Sequence, residues 1–266
     1  MAQGKGSERP FKPMFHAQRE DDLSTHRHRV VIGALGAALP LLVWFVSSVR
    51  PANPPLIEPL SSISAYYYSG AVAIFTGILA CLSVYFFTYS GYDNDDRWKD
   101  RTAAIIAAIA AIGVACFPTD APAKPLALPW WQPYQRTVHL ISAGTLFGAF
   151  IFFALFLFPK SDPKKKKKPS PEKQVRNIIY RGCGLCMLVA IVSAGIRAYN
   201  NEPIFWQETI ALEAFALSWL VKGRVRWTAA QVVHRARRPV DFAKHVVKEV
   251  RRPQKTSPAA AKVDPS

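Results

Sequence analysis

Apolar residues fall into six long runs along the chain, and polar stretches separate them. The runs are 30–49, 71–89, 102–117, 138–158, 178–196 and 204–221. A helix needs roughly 20 apolar residues to cross about 30 Å of hydrocarbon, and most runs come close to that length. The third run is alanine-rich, and it is the shortest and only moderately apolar. The pattern predicts an all-α fold, a polytopic membrane helix bundle with six transmembrane helices.

The first run is expected to be a retained helix and not a secretory signal. A polar arm of 29 residues precedes it. The run is longer than the roughly 7–15 apolar residues of a signal peptide, and no small-residue cleavage site follows it.

Basic residues decide the predicted orientation. The chain is 50% hydrophobic and has a formal charge of +16, because its lysines and arginines lie mostly between the runs. Six precede the first run, three lie at Arg97, Lys99 and Arg101, and eight lie between Lys160 and Arg176, whereas the alternate connections hold one or two each. Loops rich in Lys and Arg stay in the cytoplasm. This asymmetry predicts a multi-pass protein of the cell membrane with both termini cytoplasmic and outer loops at 50–70, 118–137 and 198–203.

The chain accordingly divides into a cytoplasmic arm (1–29), a six-helix domain (30–222) and a basic C-terminal arm (223–266). The last arm begins with valines and alanines at helical spacing opposite basic residues, and its end has a disordered composition. A basic amphipathic helix gains about 1 kcal/mol per Lys or Arg near an anionic leaflet. We therefore expect this arm to bind anionic lipid headgroups. A solvated tail and a nucleic-acid partner are the alternatives, and we predict no nucleic acid because headgroups are closer to a membrane-anchored arm.

Cysteine and glycine spacing suggests packing rather than chemistry. Cys183 and Cys186 have metal or redox spacing, but they supply two ligands where a closed zinc site needs four. Small residues around them suit close helix packing, as does the pair Gly144 and Gly148, and a homo-oligomer is one use of such surfaces. We predict no metal and no cofactor.

The informative residues are the polar ones at membrane depth, because a charge in hydrocarbon costs several kcal/mol unless it is paired or hydrated. They gather near the outer ends of the predicted helices. One interpretation is an outward-facing polar pocket centred on His139 and Glu208. The other is a set of interhelical bonds, for example between Glu208 and Arg197, that only fix the packing. The candidate ligand-binding residues are His139, Glu208, Glu213, Asp120, Ser62, Ser64 and Arg197.

Several short motifs lie at the helix ends and in the connections of the predicted bundle. They are Ser62-Ile-Ser-Ala-Tyr-Tyr-Tyr68, Phe117-Pro-Thr119, His139 near a helix start, Arg176-Asn177, Tyr180-Arg181-x-Cys183-Gly184, Pro203-x-Phe205-Trp206-x-Glu208 and Ser218-Trp-Leu-Val-Lys-Gly223. Together they resemble the motifs of an uncharacterised group of bacterial multi-pass membrane proteins. The resemblance spans about 30 to 223 and implies a compact six-helix bundle with no established activity.

A more distant likeness is to membrane hydrolases of the alkaline ceramidase and adiponectin-receptor type, which combine Ser, Asp and His around zinc. They have seven helices and three histidines, whereas only His139 lies in an apolar run here. Three protein ligands are normally needed for a catalytic zinc, so this departure counts against that chemistry.

Two functional hypotheses follow. The first is a non-enzymatic membrane protein that binds or senses a lipid or small amphiphile in the outward-facing pocket. The second is a membrane-embedded, hydrolase-like enzyme or a proton-coupled carrier that uses His139, Glu208 and Glu213. We favour the first, because the sequence contains no motif for a specific reaction.

Overall fold

The computed structural model describes residues 14–49, 58–91, 97–119, 132–160 and 171–223. The described part is helical, with no strand, which confirms the all-α prediction. Its α-helices are α1 (Met14–Val49), α2 (Val72–Thr88), α3 (Arg97–Cys116), α4 (Pro133–Phe152), α5 (Pro171–Tyr199) and α6 (Phe205–Lys222). A 3₁₀ helix (Ser64–Tyr68) precedes α2, and a π-helical turn (Phe153–Leu157) follows α4.

Among the described residues, three stretches are long and apolar enough to cross a membrane, namely His26–Val49, Pro133–Leu157 and Lys173–Tyr199. Helix α2 is apolar but shorter, at 17 residues. Helix α3 begins with charged residues in its first turns, and α6 contains Glu208, Glu213 and Lys222, which lower their mean hydropathy. The three apolar stretches indicate a membrane protein.

The helices form a closed ring. Each helix packs against its neighbours in sequence, and α6 returns to pack against α1. Helices α1 and α6 approach closely at Gly36 because glycine has no side chain. A Cβ at this position would lie only 2.6 Å from the Phe215 ring of α6.

Aromatic side chains fill the ring. Trp219 of α6 is fully buried, and its ring lies 5.5 Å from that of Phe86 and 5.2 Å from that of Phe153. Phe150 and Phe215 stack at 3.8 Å between ring centroids. These large rings bury much apolar area and fix helices α2, α4 and α6 around one centre.

The ring has two chemically different ends. At one, called here the His139 end, the C-termini of α1, α3 and α5 meet the N-termini of α2, α4 and α6. At the other, the Lys222 end, Lys222 Nζ donates to the Phe158 carbonyl over 3.0 Å and lies over the Phe158 and Tyr180 rings. These contacts hold the Lys222 ammonium against the end of the bundle.

By internal contacts the chain divides into two units, Met1–Val225 and Arg226–Ser266. The predicted lipid-binding arm (223–266) lies, after Gly223, outside the described residues. Asp120 lies outside them as well.

Candidate functional site

At the His139 end, the segment 58–70 crosses the helix ends and is fixed to α6. The Ser61 carbonyl accepts hydrogen bonds from the amides of Ile204 and Phe205, at 2.7 and 3.1 Å. These amides belong to the start of α6, where no intrahelical acceptor exists for them. The segment therefore acts as the N-terminal cap of α6 while it carries the candidate serines.

His139 joins three parts of the chain. It is 2% exposed, its Nδ1 lies 2.7 Å from the Phe117 carbonyl at the end of α3, and its Nε2 lies 2.8 Å from Ser64 Oγ. A carbonyl can only accept, so Nδ1 must carry the hydrogen. In the neutral imidazole, Nε2 then accepts from the Ser64 hydroxyl. The hydrogen bonds thus set both the tautomer of His139 and the direction of the serine.

Glu208 binds Ile63, the residue that precedes Ser64 in segment 58–70. Its Oε2 accepts a hydrogen bond from the Ile63 amide at 2.6 Å. Glu208 is in the first turn of α6, where a carboxylate also interacts favourably with the helix dipole. His139 and Glu208 therefore fix consecutive residues, Ser64 and Ile63, onto two different helices.

Ser62 has a local role. Its Oγ accepts from the Ala65 amide at 3.0 Å, which starts the 3₁₀ helix. Tyr66 closes the segment from the other side, because its hydroxyl oxygen accepts from the Leu60 amide at 3.2 Å. Burial raises the pKa of the Tyr66 phenol above its usual 10.0, and this hydrogen bond partly offsets the rise.

Arg197 and Glu213 do not join this group. Arg197 bonds within the α5–α6 turn, with Nη1 3.0 Å from Glu202 and Nε 3.0 Å from the Pro203 carbonyl. The proposed Glu208–Arg197 pair is therefore not formed. Glu213 lies deeper in α6, and its buried Oε1 has no hydrogen-bond partner within the part of the chain that the structure describes.

A groove between α5 and α6 approaches this end of the ring. It has a volume of about 500 Å³, and its walls are mainly apolar. Gln207, which precedes Glu208 in α6, and Ser193 of α5 are its polar residues toward the His139 end. The lining residues are Gly182, Leu185, Cys186, Val189, Ala190, Ser193, Gln207 and Ile210.

The cysteines are free thiols. Cys183 is buried and Cys186 is exposed at the groove. Across the residues described, no three His, Cys, Asp or Glu side chains come together as metal ligands. Gly184 does pack closely, since a Cβ there would lie 2.4 Å from Leu155, whereas Gly144 and Gly148 have open space around them.

The sequence predicted His139, Ser64 and Glu208 as site residues, but it did not predict the backbone groups that they bind. The Phe117 carbonyl had a detectable signal, because Pro118 follows it. A residue before proline avoids helical geometry, so the helix ends there and its last carbonyls lack intrahelical donors. The Ile63 amide had no such signal, because its position depends on how segment 58–70 crosses the bundle.

Comparison of the chain with protein-family models, curated proteins and solved structures finds no match in any of the three. The proposed function therefore depends on the geometry described above.

Proposed function

We propose that this chain is a six-pass protein of the cell membrane with cytoplasmic termini, which binds or senses a lipid or small amphiphile from the outer leaflet. All six helices contribute to a lipid-facing surface. Each exposes large apolar side chains, represented by Phe45, Val84, Ile109, Ile141, Val189 and Ile210. The charges that reduce the hydropathy of α3 and α6 lie largely at helix ends or in the interior, so both helices still present apolar faces to the hydrocarbon.

The single observation that carries the binding proposal is the α5–α6 groove beside the polar His139 end. An acyl chain fits an apolar groove of this kind, and Ser193 and Gln207 would meet the more polar part of the ligand. Glu208 is adjacent to Gln207 and holds Ile63. A headgroup bound near Gln207 would therefore be coupled to segment 58–70, which gives binding a route to a conformational response.

Native mass spectrometry of the detergent-purified full chain tests this proposal through its co-purifying lipids. Ser193→Leu places a large side chain in the groove and is expected to reduce lipid retention. Gly195→Leu is the matched control, because Gly195 has open space around it and does not line the groove. Glu208→Gln keeps an oxygen acceptor for Ile63, so a loss of lipid in a folded Glu208→Gln variant indicates that the carboxylate also affects the ligand.

His139→Ala is the fourth variant. Because it removes the link between Phe117 and Ser64, we expect both lower thermal stability and weaker lipid retention. Wild-type lipid retention in Ser193→Leu, Glu208→Gln and His139→Ala together would refute the binding proposal.

A second candidate function is a serine-dependent enzyme, and the hydrogen bond between Ser64 and His139 is what favours it. A serine that donates to a histidine held by a third group is the usual arrangement of an activated nucleophile. An acyl-transfer site also needs donors for the oxyanion. The nearest amides, those of Ala65 and Tyr66, already donate to Ser62 and Ile63. This is why we place ligand binding first.

A fluorophosphonate probe distinguishes the two functions. An enzyme of this kind would be labelled, and Ser64→Ala and His139→Ala would each abolish the labelling, while Ser62→Ala would keep it. Absence of labelling in the folded wild-type protein would count against the enzyme.

The carrier alternative depends on Glu213, whose buried Oε1 lacks a hydrogen-bond partner in the described residues. Proteoliposomes that contain a pH-sensitive dye test it. A proton flux that Glu213→Gln leaves unchanged would exclude Glu213 as the carrier of that flux.

A further inference from the structure

Contacts at the two ends of the interface between α1 and α6 show which residues face each other in its middle. Toward the Lys222 end, a Cβ on Gly33 would lie 3.0 Å from the Ala216 carbonyl oxygen. Toward the His139 end, the Trp44 ring lies 5.8 Å from that of Trp206. Residues three or four apart share one side of a helix. The middle of the interface is therefore formed by Gly36 and Pro40 of α1 and by Thr209 and Glu213 of α6.

Pro40 leaves a backbone carbonyl of α1 without its usual donor. It lies inside α1 and is fully buried. Proline has no N–H, so the carbonyl four residues earlier, that of Gly36, loses its intrahelical hydrogen bond. Inside a membrane, a neighbouring helix must supply the missing donor. Helix α6 is that neighbour, because a Cβ on Gly36 would meet the Phe215 ring at 2.6 Å.

Glu213 has a complementary deficit. Its Oε1 is buried and has no hydrogen-bond partner among the residues that the structure describes. The apolar run of α1 (30–49) contains no ionisable side chain, and the nearest ones in α6 are Glu208 and Lys222. On α5, the ionisable side chains in the middle of the helix are the thiols of Cys183 and Cys186, which carry no positive charge.

A carboxylate at this depth would be costly, because no cation lies beside it on these helices to balance its charge. A proton removes that cost and also converts the group from an acceptor into a donor, since a protonated carboxyl has one O–H. The Gly36 carbonyl requires a donor of this kind.

Neighbouring hydroxyl groups do not supply this hydrogen. Thr209 Oγ1 donates to the Phe205 carbonyl at 2.8 Å, and Ser218 Oγ donates to the Phe215 carbonyl at 2.7 Å. From residue 209 to residue 217, Glu213 is the remaining side chain with a group that can donate.

We infer that Glu213 is a proton-binding site inside the bundle, and that its protonated carboxyl donates to the Gly36 carbonyl. The bound proton joins α6 to α1 beside Pro40. When the proton leaves, a carboxylate faces a carbonyl, and two acceptors repel each other, so the interface loosens. The inference is independent of the lipid-binding proposal, and unlike the carrier alternative it requires no proton flux.

Infrared spectroscopy of the full chain in detergent at neutral pH tests the protonation of Glu213. The spectrum of the wild type minus that of Glu213→Gln should contain the carbonyl stretch of a protonated carboxylic acid, shifted to lower frequency in D₂O. Glu202→Gln is the control, because Glu202 is exposed and paired with Arg197, and its difference spectrum should lack this band. Absence of the band for Glu213→Gln would overturn the inference.

Thermal unfolding tests the partner of the proton. Glu213→Gln keeps an N–H donor and should retain a Tm close to that of the wild type, whereas Glu213→Leu removes the donor and should lower the Tm. Pro40→Ala restores the backbone N–H that the Gly36 carbonyl lacks. The Tm loss caused by Glu213→Leu should therefore be smaller in the Pro40→Ala background.

Leu217→Ala is the matched control, because Leu217 lies on the exposed face of α6, and its Tm change should be the same in both backgrounds. Equal Tm losses from Glu213→Leu with and without Pro40→Ala would overturn the contact with Gly36. So would a Tm of Glu213→Gln as low as that of Glu213→Leu. Circular dichroism and a single monodisperse elution peak confirm that each variant is folded.

Discussion

At the scale of single residues, His139 stabilises the structure by connecting separate parts of the chain. Its two nitrogens join the end of α3 to the segment 58–70; the contact with Ser64 is buried and the contact with the Phe117 carbonyl is partly buried. The Phe117 carbonyl accepts from Nδ1 and so leaves Nε2 as the acceptor for Ser64. Such paired buried groups are costly to separate, because the remaining partner loses its hydrogen bond without regaining water.

A double-mutant cycle measures this connection. Ser64→Ala alone is expected to lower the free energy of unfolding by about 1–3 kcal/mol, because Nε2 is left buried without its donor. His139→Leu should have a similar or larger effect. The double variant should be less destabilised than the sum of the two, with a coupling energy of about 1 kcal/mol. Simple additivity would contradict a direct Ser64–His139 bond.

Tyr66 provides a residue-scale prediction about pH. Burial raises the pKa of its phenol above 10.0, so the folded protein holds the proton more tightly than the unfolded chain does. Its contribution to stability is therefore complete below about pH 10 and falls as the pH rises through the raised value. In a difference titration at the tyrosinate absorbance, wild type minus Tyr66→Phe should show a component that ionises above pH 10. A component at or below that pH would contradict the burial of Tyr66.

At the scale of secondary-structure elements, the close contact between α1 and α6 closes the ring. Gly36 allows it, because Phe215 is fully buried and stacked against Phe150 and so has little room to move. A methyl group at position 36 would meet the Phe215 ring at 2.6 Å. The π-helical turn after α4 is another irregular element, and it places Phe153 and Leu157 in the buried core.

Gly36→Ala is expected to destabilise the protein by about 1–3 kcal/mol, the usual effect of overpacking a filled core. Gly77→Ala is the control, because Gly77 of α2 has open space around it and alanine favours helix by up to about 1 kcal/mol. Thermal unfolding in detergent should therefore give a lower Tm for Gly36→Ala and an unchanged or higher Tm for Gly77→Ala. Equal Tm values for the two variants would show that helices α1 and α6 have room for a methyl group between Gly36 and Phe215.

At the scale of the whole molecule, the two ends of the ring differ in chemistry. The His139 end holds Glu208, the Arg197–Glu202 pair and neutral groups, whereas the Lys222 end holds the cations Lys222 and Arg29. The positive-inside prediction would place the Lys222 end in the cytoplasm.

Cysteine labelling at the two ends of α5 tests that orientation. In a background from which the native cysteines are removed, Glu202→Cys is expected to react with a membrane-impermeant maleimide in intact cells, because the α5–α6 turn would be outside. Gln174→Cys, in the exposed start of α5, should react only after permeabilisation. Both positions are exposed, so equal labelling of the two in intact cells would refute the proposed topology.

The sequence determined the helices well. Each apolar run coincides with an observed helix. The ends agree within one residue for α2, predicted at 71–89 and found at Val72–Thr88, and for α6, predicted at 204–221 and found at Phe205–Lys222. The length of an apolar run predicts a membrane-crossing helix directly, because each such helix must by itself be apolar over the thickness of the hydrocarbon. The observed α1 and α5 begin earlier than their runs, since helices can continue beyond the apolar part.

Individual polar residues were predictable as candidates, because a buried charge or histidine needs a partner and is therefore conspicuous in an apolar run. Their partners were not predictable. Only the tertiary structure decided that Ser64 bonds to His139, that Glu208 holds the Ile63 amide and that Arg197 turns back to Glu202. The local sequence determines the position of a side chain on its helix, but the packing of the six helices determines which backbone groups that side chain can reach. The α5–α6 groove exists for the same reason, since it is a space between two helices and not a property of either helix alone.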